Sequence, residues 1–177
     1  MISRRTLIGS AGAALLAGGA AVAIKLSEMR PAENSKDMAP DFSVEAIGGL
    51  RHYQLADFAG RLLLLNFWAT WCGPCRVEMP WLSRTYSRYR SQGLTILGVN
   101  TDDDSDMPAV ERFAREMGVT YPIARNNDAT VSAYGGLRFL PESFLIGQHG
   151  EILQHIFGMP ASTHDVEAEI VSALSRR

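Results

Sequence analysis

The chain holds two cysteines, Cys72 and Cys75, set as C-G-P-C inside W-A-T-W-C-G-P-C-R-V-E-M-P, residues 68–80. Two thiols separated by two residues suit four chemistries: a metal clip, a structural staple, a peroxide-reducing site, or a dithiol that carries electrons. A staple fits poorly, because so short a ring removes little entropy from the unfolded chain. A structural zinc wants four ligands, and one cysteine pair supplies two of them. Copper(I) is better served, since soft thiolates suit it. A peroxidase of the P-x-x-x-[ST]-x-x-C pattern is disfavoured, because Ala69 stands three before Cys72 and no proline precedes it nearby.

The dithiol reading gains from the elements around it. R-L-L-L-L-N-F-W, residues 61–68, is a continuous apolar run bounded by turn residues, the mark of a strand buried on both faces. A helical pattern follows from Pro74 to Gln92 and stops at Gly93. Pro80 inside it removes one backbone donor and predicts a kink. Cys72 then falls at a helix N-terminus, where free N–H groups and the helix dipole favour a thiolate. Cys75, three residues on, shares its face and can resolve a mixed disulfide formed on Cys72. Pro74 stiffens the first turn, and Arg76 is either a solvated helix residue or a charge that also favours the thiolate. Trp68 and Phe67 read as core, and Trp71 as a partly exposed wall beside Cys72.

Further along, D-F-S-V-E-A-I, G-G and R-H-Y-Q-L predict a β-hairpin. L-T-I-L-G-V-N (94–100) predicts a second buried strand, 106–117 a helix, and Y-P-I-A-R a short strand. A short helix is expected over 128–134 with Asp128 as N-cap, then a hairpin over 143–157 turning at 147–150. An amphipathic helix over 162–174 follows. Strands alternating with helices define one α/β domain over 40–177.

Composition is ordinary for a globular chain, 46% apolar and 20% charged. Seventeen basic residues against nineteen acidic, with no basic stripe, set nucleic acid aside. The N-terminus differs in kind. Arg4 and Arg5 precede a charge-free run from Thr6 to Ile24 that contains the A-x-A-like Ala21-Val22-Ala23. Residues 1–26 thus read as an export signal of the twin-arginine type, S-R-R-T-L-I, or as a retained membrane anchor through residues 6–26. Residues 27–39 read as a polar linker.

W-C-G-P-C after a buried strand, with Pro80 five residues past the second cysteine, resembles thioredoxin. A-P-D-F-S (39–43), the 65–80 stretch and L-P-E-S-F-L-I-G-Q-H-G-E-I (140–152) together resemble the exported TlpA/ResA/CcmG branch of bacterial thioredoxin-like (redoxin) proteins. The resemblance implies a thioredoxin fold: a central mixed sheet flanked by helices, with an N-terminal β-hairpin and an αβ insertion over 102–136. It implies a catalytic set of Cys72, Cys75, Glu78 and Pro141, the last in a cis peptide bond. A substrate groove lined by Trp71, Gly73, Pro74 and Leu140 follows, with the Leu140 backbone offered to an extended client strand. Asn66 stands where thioredoxin has a buried aspartate, and an amide cannot take the proton of Cys75. Glu78 matches a glutamate of this branch. It is either a buried carboxylate that tunes or relays that proton, or an exposed helix residue. The implied activity is periplasmic thiol–disulfide exchange, in the reducing direction, with no cofactor beyond the Cys72–Cys75 disulfide and no metal. The implied partners are a DsbD/CcdA-type membrane electron donor and protein disulfide clients such as apocytochrome c or copper-site assembly factors. A copper(I) carrier using the two thiolates, and a thiol peroxidase, are the alternatives.

Overall fold

The computed structural model describes residues 37–49, 51–103 and 107–176. The expected leader over 1–26 and most of the linker lie outside the described residues. Among the described residues no helix is long and apolar enough to cross a membrane.

Seven strands form one mixed sheet: β1 (Ser43–Ala46), β2 (His52–Gln54), β3 (Leu62–Trp68), β4 (Leu94–Asn100), β5 (Ile123–Arg125), β6 (Glu142–Ile146) and β7 (Ile152–Phe157), in the spatial order β2-β1-β5-β4-β3-β6-β7. β4 lies parallel to β3 and to β5, whereas β6 runs antiparallel to β3 and to β7. The helices are α1 (Gly73–Tyr89), α2 (Met107–Glu116), α3 (Asp128–Ala133) and α4 (Thr163–Ser175). β3 and β4 are buried at every position, which is why their sequences show no alternation.

Within β3 the side chains still divide by parity. Leu63, Leu65 and Phe67 join Phe42, Tyr134 and Phe144 on one face. Leu62 and Leu64 face Leu82 of α1 and Ile170 of α4 on the other. Asn66 has the parity of this second face, and so is brought under α1. At the C-terminal end of β3, Trp68 packs with both cysteines, Met79 of α1 and Phe113 of α2.

One detail differs from expectation. The N-cap of α3 is Asn127, not Asp128: Asn127 is extended (φ −137°) and its Oδ1 accepts from the Thr130 N–H at 2.8 Å. Asp128 instead lies in the first turn, where its charge still suits the helix dipole. The helical span of α1 runs uninterrupted through Pro80 and ends in a 3₁₀ turn, Arg90–Gln92. Gly93 follows at φ +110°, a left-handed conformation that glycine takes without strain.

Candidate active site

β3 ends at Trp68, four residues bridge to α1, and the last of them is Cys72. Cys72 caps the helix: its Sγ accepts from the Cys75 N–H at 3.2 Å. Cys72 and Cys75 are joined in a disulfide. The two sulfurs are not equivalent, since Cys72 is 4% exposed and Cys75 fully buried at 0%. The slight exposure of the pair lies on Cys72, the side that a reacting partner meets first. Gly73 and Pro74, which form the first turn, are exposed. Trp71 stands out at 72% exposure, while Phe67 and Trp68 are buried in the core, as expected.

Pro141 follows Leu140 through a cis peptide bond, and Leu140 packs against the cluster containing both cysteines. The structure therefore brings Cys72, Cys75 and Leu140 together, with Pro141 next to Leu140 in the chain and Trp71, Gly73 and Pro74 exposed.

Glu78 is buried at 2% exposure, which removes the exposed-residue reading. Its Oε2 accepts from Asn66 Nδ2 at 2.9 Å, and the same amide donates to Ser143 Oγ at 2.9 Å. An aspartate at position 66 would have had no hydrogen to give either group. Burial pushes the Glu78 carboxyl up from the ordinary 4.5 to about 7, against the opposing pull of the Asn66 hydrogen bond. The one opposing influence is a hydrogen bond from a neutral amide, which offsets the cost of burying the charge only in part. A carboxyl of this kind gains and loses a proton near neutrality, one turn along the helix from Cys75.

Three features are not legible in the sequence. Glu142, next to the cis-proline, is 2% exposed and lies 2.7 Å from His155 Nε2. His155 itself stacks on Phe144 at 4.0 Å and meets Phe157 in a tilted contact at 3.8 Å. The bridge from Trp68 to Cys72 is tied to Asp102, 32 residues from Thr70. The one available signal was Glu142 itself, a charge at the head of an otherwise apolar strand run. Among the described residues no group of three or more His, Cys, Asp or Glu converges as metal ligands. His149 and His155 are spaced as H-x₅-H, but His155 Nε2 is engaged by Glu142.

A disulfide at the N-terminus of the helix after a central buried strand, with the residue before a cis-proline packed against its cluster, defines a dithiol protein of the thioredoxin fold. The chain belongs to the AhpC/TSA family, which it matches over residues 35–155. It is 39% identical over 135 residues to the thiol-disulfide oxidoreductase ResA of Geobacillus kaustophilus, covering 76% of this chain and 75% of that one. The corresponding ResA of Geobacillus thermodenitrificans is 40% identical over 121 residues, covering 68% and 67%. A crystal structure of a thiol:disulfide interchange protein of the thioredoxin family from Chlorobium tepidum superposes with a TM-score of 0.72 at 29% identity, covering 81% of this chain and 99% of that one. The molecule is a thiol–disulfide oxidoreductase.

Proposed function

We propose that the protein is an exported, periplasmic reductase of protein disulfides. The observation that carries this reading is the asymmetry of the dithiol: Cys72 caps a helix N-terminus and holds what little exposure the pair has, while Cys75 is fully buried with Glu78 one turn away. The Cys72 thiolate attacks a client disulfide, forming a Cys72–client mixed disulfide and releasing the first client sulfur as a thiolate. Cys75 gives its proton to the Glu78 carboxylate and attacks the Cys72 sulfur. The Cys72–Cys75 bond forms, the second client sulfur leaves, and two electrons have passed to the client. Glu78 exchanges its proton with solvent before the next cycle.

The groove for the client strand lies between Trp71, Gly73 and Pro74 on one side and Leu140 and Pro141 on the other. No cofactor or metal takes part. The charged start and apolar run of residues 1–26 support export, with a DsbD/CcdA-type membrane protein as donor. Clients of the apocytochrome c or copper-assembly class follow from the resemblance to the ResA branch.

Expression of Cys75→Ser in the native envelope tests the reading. Mixed disulfides with cysteine-pair proteins should accumulate on Cys72. Insulin reduction with dithiothreitol should require both cysteines, and tight copper(I) binding without turnover would overturn the reading in favour of a carrier.

A further inference from the structure

The bridge Ala69-Thr70-Trp71-Cys72 carries the reacting sulfur, yet no strand ladder holds it. Buried or half-buried backbone groups must be satisfied somewhere, and here charged side chains from other elements serve. The Thr70 N–H donates to Asp102 Oδ2 at 2.8 Å, and Thr70 Oγ1 donates to Asp102 Oδ1 at 3.1 Å. On the other edge of the same residue, the Thr70 carbonyl accepts from Arg76 Nη2 at 3.0 Å.

Both gripping groups are themselves fixed. Asn100, fully buried at the end of β4, donates from Nδ2 to Asp102 Oδ2 at 2.7 Å and accepts the Asp102 N–H on its Oδ1 at 3.1 Å. The neighbouring Thr101 N–H donates to the Trp68 carbonyl at 2.8 Å. The Arg76 guanidinium lies over the Phe113 ring of α2 at 4.4 Å, and Phe113 stacks on Trp68 at 5.8 Å. A closed circuit from β4 through the bridge, α1 and α2 thus passes through Thr70, two residues before the nucleophile.

We propose that Asp102 is a positioning residue for thiol–disulfide exchange. By holding the Thr70 amide and hydroxyl together, it sets the course of the chain into Cys72 and so the line along which Sγ meets a client disulfide. A carboxylate is suited to this because its two oxygens accept two donors of one residue in a fixed geometry. Exchange needs the attacking sulfur, the attacked sulfur and the leaving sulfur aligned, and a displacement of about 1 Å in such a site costs up to about 10²-fold in rate. The proposal rests on Cys72 being the attacking sulfur.

The test uses the reduced full chain and its Asp102→Ala, Asp102→Asn and Thr70→Val variants. Second-order rates with a small aromatic disulfide are compared on the alkaline plateau, where the thiol is fully ionised and only position differs. Asp102→Ala should react about tenfold or more slowly. Asp102→Asn keeps an acceptor oxygen for the Thr70 N–H and should recover to within about threefold of the parent. The Ala and Asn variants both lack the charge, so their difference is positional. An Asp102→Ala rate within twofold of the parent, or equal losses in the Ala and Asn variants, overturns the proposal. Should Asp102→Ala not fold, Thr70→Val decides: about a two- to threefold loss supports the role, and an unchanged rate overturns it. Peptide mapping after alkylation keeps the underlying assignment separate. Label on Cys75 would refute Cys72 as the attacker, whereas label on Cys72 with unchanged rates refutes Asp102 alone.

Discussion

Glu78 and Glu142 are buried to the same depth, each 2% exposed, and they flank the dithiol region from opposite faces of the sheet. Glu78 lies on the α1 face, where Asn66 points. Glu142 lies on the other, beside Phe144 and opposite Phe67 in register. What differs is the group that meets each carboxylate. Glu78 is met by an uncharged amide, so burial is uncompensated and its carboxyl rises to about 7. Glu142 is met by the His155 imidazole of β7 at 2.7 Å. The first arrangement makes a group that trades protons with its surroundings. The second ties Glu142 to a side chain of β7, an arrangement suited to holding the cis-proline strand against it. Depth of burial alone does not make a carboxylate functional; the chemistry of its partner does.

The contrast can be broken in several places. Glu142→Ala removes the partner of His155 and leaves a cavity beside Phe144, so urea unfolding of the oxidised chain should show a loss of about 2–4 kcal/mol. Its exchange rate should stay within about threefold of the parent, and a large rate loss with unchanged stability would erase the distinction drawn between the two carboxylates.

Next is the pH dependence of stability. The Glu78 carboxyl titrates at about 7 in the folded chain against 4.5 ordinarily, so between those values the folded chain holds the extra proton. Its contribution is fully present below about pH 4.5 and is lost as pH rises to about 7, by up to about 3 kcal/mol. Glu78→Gln should therefore flatten the stability profile, leaving the variant the more stable of the two at pH 8 and nearly equal to the parent at pH 4. Parallel curves for the two proteins would contradict the buried-proton account.

In kinetics the same variant should slow resolution of the Cys72 mixed disulfide about 10²-fold, the usual scale of a positioned acid–base group. The initial attack by Cys72 should change little. Stopped-flow separation of the two steps checks this, and equal slowing of both would assign Glu78 to general electrostatics. The smallest effect is expected from His155→Phe, which keeps the ring contacts with Phe144 and Phe157 but leaves Glu142 without its partner, a cost of about 1–2 kcal/mol in urea unfolding.

How far these features can be read from the chain depends on their range. The buried strands β3 and β4 are plain in R-L-L-L-L-N-F-W and L-T-I-L-G-V-N because burial on both faces leaves an unbroken apolar run. The placement of Cys72 at a helix start follows from its neighbours alone. Glu78 is intermediate: its helix is legible, but its burial depends on Asn66, 12 residues away and on another element. Glu142–His155 and Asp102–Thr70 depend on pairings across 13 and 32 residues, set by sheet order rather than by local pattern. Even the cap of α3 moved by one residue, because Asn127 and Asp128 are both good caps and only the backbone at Asn127 is extended.

The central claim is that this dithiol reduces its clients, and the reduction potential of the Cys72–Cys75 couple tests it most directly. Equilibration of the protein with a glutathione or dithiothreitol buffer at pH 7 should place it near the reducing thioredoxins, at about −270 mV. A value above about −180 mV, in the range of isomerases and oxidants, would contradict the account.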